Sequence, residues 1–84
     1  MADTLGMLAE ASQLARELGY EIREEPLGET PGGLCRVGKV RQILLNVAEG
    51  PAEQVERLLE ILAADDRWPT VPVSRPLARR LRQG

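Results

Sequence analysis

Histidine is absent from the 84 residues. That absence removes Ser–His–Asp and Cys–His catalysis, histidine-ligated zinc and the usual neutral-pH proton shuttle. A single cysteine, Cys35, leaves no internal disulfide and too few thiolates for a zinc site. The carboxylates do not follow the EF-hand spacing that would suit a hard cation. The expectation is therefore a chain with no metal, no cofactor and no enzymatic centre. Phenylalanine is also missing, and Tyr20 and Trp68 are the only aromatic residues, so the core must be built from Leu, Ile, Val and Ala. No stretch approaches the roughly 18 apolar residues that span a bilayer, which excludes an integral membrane role. The N-terminus combines neither a basic region nor a long apolar run, so a soluble protein in the reducing cytoplasm is expected rather than a secreted one.

What is present has the balance of a folded domain: 43% hydrophobic and 29% charged residues. A chain this short buries only about 60–65% of its unfolded surface, enough for one modest core. The net charge of −2 conceals a segregation. Residues 1–66 hold 13 acidic and six basic residues, net −7, whereas residues 67–84 hold five arginines and no acid, net +5. Such a basic end either binds a polyanion or folds back onto its own acidic body. The division suggests a domain over 1–66 and a basic arm over 67–84.

Asp3 or Thr4 can cap a helix over about 4–18, in which Leu5, Leu8, Ala11, Ala15 and Leu18, joined by Met7 and Leu14, recur at helical spacing. Gly19 suits the left-handed position that ends it. From Tyr20 to Glu25, apolar and charged residues alternate as in a half-exposed strand, stopped by Pro26. Residues 26–33 contain three glycines and two prolines and read as a mobile surface loop. Leu34–Val37 and Val40–Val47 form a hairpin turned by Gly38 and Lys39. In its second strand Ile43, Leu45 and Val47 should face the core, leaving Leu44 in need of cover. Gly50 and Pro51 open a helix to about residue 64, with Val55, Leu58, Leu59 and Leu62 on one side. Pro69 and Pro72 then predict an extended strap from 65 to 75, followed by a short basic helix over 76–82 capped by Ser74.

Cys35 reads as a small core side chain on its strand, because no histidine is available to lower its pKa. Gly32 and Gly33 match neither phosphate-loop spacing and are explained by a turn. Glu24 and Glu25, adjacent on a strand, point to opposite faces and cannot act on one substrate. Arg75, Arg79, Arg80 and Arg82 can each replace a counterion on a phosphate backbone, although aromatic interleaving is missing apart from Trp68. Trp68 is either an anchor pinning the arm or a contact at a protein interface.

Leu18, Gly19, Tyr20, Glu21, Ile22 and Arg23, then Gly33, Leu34, Cys35 and Arg36, and Ile43, Leu44, Leu45 and Asn46 resemble the region upstream of the active site in the ImmA/IrrE family of zinc peptidases. The resemblance implies a helix and small sheet preceding a helix with His-Glu-x-x-His. Here the corresponding helix reads Glu53, Gln54, Val55, Glu56, Arg57, Leu58, Leu59, Glu60 and holds neither ligand, so the likeness implies fold without the catalytic part. The Gly-Gly-Leu-Cys hairpin and Pro-Ala-Glu-Gln helix also resemble those of short bacterial proteins.

Together these features predict a two-layer α+β domain of order α-β-β-β-α, with a three-stranded antiparallel sheet and an extended C-terminal arm. Its expected role is that of a non-enzymatic interaction or regulatory module. A narrow sheet has edges and an uncovered face, so a homodimer is expected in which Leu44, Trp68, Val71 and Val73 take part. The alternative is an RNA- or DNA-binding accessory protein using the arginines of the arm.

Overall fold

In a computed structural model, which describes residues 3–83, the expected two-layer α+β architecture is present. Met1, Ala2 and Gly84, which end the expected domain and arm, lie outside the described residues. Helix α1 (Thr4–Glu17) begins where the Asp3 side chain accepts from the Gly6 N–H, which gives one free amide of the first turn a partner. Met7, Ala11, Leu14, Ala15 and Leu18 form its buried stripe, whereas Leu5 falls off that stripe and is exposed. Helix α2 (Pro51–Ala63) buries Val55, Leu58, Leu59 and Leu62, as its spacing predicts. The Glu53 carboxylate accepts from the Gly50 N–H at its start.

Strands β1 (Glu21–Glu25), β2 (Gly33–Val37) and β3 (Val40–Asn46) form one sheet in the order β1-β3-β2. The sheet is mixed, which corrects the antiparallel expectation: β2 pairs antiparallel with β3, but β1 pairs parallel to it. Burial explains the order. β3 carries Ile43, Leu44 and Leu45 and takes the centre, while β1, with four charged residues out of five, suits an edge. Residues 26–32 must then pass over the end of β3 to start β2 on its far side. Gly32 makes that passage possible, since a Cβ there would lie 2.1 Å from the Leu44 carbonyl oxygen.

Asn46 fixes this crossing. Its Nδ2 donates to the carbonyls of Gly28 and Thr30 at 2.9 and 3.1 Å, and its Oδ1 accepts from the N–H groups of Leu27 and Ala48 at 3.2 and 3.0 Å. The segment expected to be mobile is thus tied down by one buried side chain. The bond to Ala48, two residues on, also turns the chain, so β3 ends at Asn46 and Val47 is 52% exposed instead of facing the core.

The helices cover the sheet face that carries Ile43 and Leu45. The C-terminal segment departs from the extended strap predicted for it. A 3-10 turn, Trp68–Thr70, is followed by helix α3 (Arg75–Gln83), which packs on α1 and α2. The bend is driven locally: Asp65 accepts from the Arg67 N–H at 2.9 Å, and the Thr70 hydroxyl donates to the Arg67 carbonyl at 2.7 Å. These bonds override the bias of a residue before proline against helical dihedrals. Ser74 caps α3 as expected, accepting from the Leu77 N–H at 3.3 Å. Its own N–H and hydroxyl donate to the two carboxylate oxygens of Glu10 at 2.8 and 2.5 Å, which fastens α3 to α1. Leu77 and Leu81 are buried in the same core as Leu14 and Leu58.

Candidate functional site

The strand register sorts the sheet's side chains by face, because Cα partners project to the same side. Opposite the helices lie Glu21, Arg23 and Glu25 from β1, Val40, Gln42 and Leu44 from β3, and Gly33, Cys35 and Val37 from β2. The β1 side of this face is polar: Arg23 pairs with Glu25 at 2.5 Å, and the Gln42 amide donates to Glu21 at 3.4 Å. The hairpin side is apolar. Val37 and Val40 are partners across the turn and both are exposed, with Cys35 beside them and Leu44 half-buried between Arg23 and Gly33. Among the described residues no helix covers this surface.

Cys35 is therefore exposed, which corrects its expected place in the core. Strand β2 is an edge, and its alternation turns Cys35 to the open face rather than toward α2. Leu34, on the helix side of the same strand, is nevertheless 51% exposed, because β2 is at the edge of the sheet.

The ladder also shows which backbone groups of β2 are free. Gly38 takes φ 62° at the first position of a two-residue turn, the arrangement in which Val37 and Val40 exchange hydrogen bonds. Bonded pairs then alternate through Cys35–Gln42 and Gly33–Leu44. The N–H and C=O groups of Leu34 and Arg36 point away from β3, toward the open edge.

The expected partner-binding residues of the C-terminal segment divide in two. Trp68 is buried in the core, and Val71 and Val73 pack against it half-buried, so these three anchor the segment. Arg80 pairs with Glu56 of α2 at the surface. Arg75, Arg79 and Arg82 are exposed on the outer side of α3, where with Ala78 and Gln83 they line a shallow depression. None of these three has an ion-pair partner among the described residues. The guanidinium of Arg82 lies 5.8 Å from the centre of the Trp68 ring.

A fourth grouping was not foreseen. Asp65, just past α2, is buried and accepts 3.0 and 2.7 Å bonds from the Arg67 guanidinium and a 2.7 Å bond from the Tyr20 hydroxyl. Arg41 stacks over the Tyr20 ring at 4.6 Å. The hydrogen bonds from Arg67 hold the Asp65 carboxyl well below the usual carboxylate range in spite of its burial. Burial, followed by the bond to Asp65, pushes the Tyr20 phenol up from its ordinary value. Every member has its partner, so the cluster is a clasp between β1, β3 and the end of α2. A tyrosine at the start of an alternation and an Asp-x-Arg after a helix were its only traces in the sequence.

Among the described residues no three His, Cys, Asp or Glu side chains gather as a metal site, and no helix is long and apolar enough to cross a membrane. Comparison with protein-family models, with curated proteins and with solved structures finds no match to this chain.

Proposed function

We propose that the chain is a non-enzymatic interaction or regulatory module of the cytoplasm that self-associates through its β2–β3 hairpin. One observation carries this reading. Of the five large apolar side chains exposed among the described residues, Leu34, Val37 and Val40 all lie on that hairpin, Val37 and Val40 on the open face that also carries half-buried Leu44, and Leu34 on the other face. Apolar side chains at one end of a small domain, interrupted by Gln42 and flanked by Glu21 and Arg23, have the composition of a contact surface. Leu44 stays in the proposed surface, whereas Trp68, Val71 and Val73 support it from within the fold. The test is molar mass by size-exclusion chromatography with light scattering. Twice 9.2 kDa is expected, and Val37→Lys with Val40→Lys should return the monomer. A wild-type monomer at high concentration would reject the reading.

A second reading, RNA or DNA binding, is favoured by Arg75, Arg79 and Arg82, which have no ion-pair partner among the described residues and share one side of α3. Trp68 is buried and cannot stack on a base, so such binding would be electrostatic. The logarithm of affinity would fall with that of salt at a slope of about −2 to −3 for three phosphate contacts. Replacing all three by glutamine should abolish it, and absence of binding at low salt would eliminate it.

A further inference from the structure

We propose that β2 pairs antiparallel with β2 of a second copy, in the register that sets Cys35 opposite Cys35 and Leu34 opposite Arg36. The inference rests on the self-association reading and assigns it a strand edge and a register.

The two edges of the sheet differ. β1 presents Glu21, Arg23, Glu24 and Glu25, the kind of charge that blunts an edge, whereas β2 presents only Arg36 in five residues. β2 also offers the free N–H and C=O groups of Leu34 and Arg36, which the hairpin geometry directs outward. A two-fold pairing must match these outward residues to one another, so a slip by one position would leave every bond unmade. Slips by two positions shorten the overlap, and one of them sets Arg36 against Arg36. The register centred on Cys35, the middle residue of Gly33–Val37, engages the whole strand. Leu34 and Arg36 then exchange both bonds with their opposites on either side of the axis.

The side chains fit the same register. Gly33 of one copy faces Val37 of the other. The space beside Gly33 is open, with no atom within 4 Å of where a Cβ would stand, and Val37 is 56% exposed and in need of cover. The two sheets become one of six strands, and the apolar patches of both copies join across the axis. Cys35 meets its counterpart as a non-hydrogen-bonded pair, for which the Cα separation is about 4.5 Å. That lies within the range a disulfide can bridge.

The geometry gives a direct test. Light scattering establishes the dimer, measured over a concentration series because so short a ladder makes a weak interface. Disulfide formation is then timed with diamide, which takes up the two electrons and two protons that the thiols release. The wild-type chain is compared with Cys35→Ser/Val37→Cys, whose thiol is also exposed on the same face but four positions from its counterpart. Cross-linking through Cys35 should be at least about tenfold faster, since only that pair falls within bonding distance. Leu34→Lys, with its circular dichroism unchanged, should weaken the dimer about tenfold or more by placing a charge on the edge. A dimer that persists in Leu34→Lys with equal cross-linking rates for the two thiols overturns the β2 pairing and leaves self-association standing. A monomer throughout rejects both.

Discussion

The Tyr20 hydroxyl donates a 2.7 Å hydrogen bond to Asp65 across 45 positions of the chain, joining the start of β1 to the turn that follows α2. Both groups are buried, and the acceptor is charged. Tyr20→Phe keeps the ring and its stacking under Arg41 while deleting that one bond. A loss of about 1.5 kcal/mol is expected, the lower end for a bond to an ionised group, because Arg67 still satisfies Asp65. Urea unfolding checks it.

The same clasp gives stability two pH limits. Asp65 titrates near 3.8 when unfolded and well below that when folded, so its contribution is complete above the unfolded value and is lost as pH falls below about 4. Tyr20 has the opposite sense: its phenol is raised above 10.0, so its contribution is intact below that value and is lost as pH rises beyond it. Urea midpoints measured from about pH 2 to about pH 11 should show a plateau with two falling limbs. Asp65→Asn should lower the plateau and remove the portion of the acid limb that belongs to this carboxyl.

Asn46→Ala should loosen the crossing loop more than it disturbs the helices. Two backbone N–H groups, those of Leu27 and Ala48, lose their acceptor, and two carbonyls lose a donor. A cost of about 1–2 kcal/mol is expected, because Gly28, Thr30 and Ala48 are exposed and water can take up much of what is lost. Hydrogen exchange should show Leu27 and Ala48 deprotected while the amides of Leu58 and Leu62 keep their relative protection.

Helix α3 separates core from surface within two residues. Leu77 is fully buried, whereas Arg79 is exposed without an ion-pair partner among the described residues. Leu77→Ala should cost about 2–4 kcal/mol, and Arg79→Ala should stay within about 0.5 kcal/mol. Equal small effects in thermal unfolding would show that α3 does not belong to the cooperative core.

The helices were legible in the sequence because their signals are local: an Asp3 cap and a Pro51 start, each followed by apolar residues at a spacing that only a helix uses. The hairpin was legible for the same reason through Gly38. The direction of β1 was not, since alternation is identical in parallel and antiparallel strands and the decision rests on Asn46 holding a loop almost 20 positions away. Cys35 was misplaced because composition favours burying cysteine, and only the strand order reveals that β2 lies at an edge. Similarly, the arginines of α3 look alike in sequence. Glu56 singles out Arg80, and the helix's angular position leaves Arg75, Arg79 and Arg82 outside. The apolar surface of the hairpin was half visible, in Leu44, while Val37 and Val40 looked like ordinary strand residues.

With β3 in the centre, the sheet has a built-in order of assembly. The β2–β3 hairpin closes through a two-residue turn, whereas β1 must wait for a strand 21 positions further along before it finds a neighbour. Until β3 has been made, β1 is therefore a charged segment with no neighbouring strand. Those charges on β1, which blunt its edge in the finished sheet, also keep that waiting segment from adhering to other nascent chains.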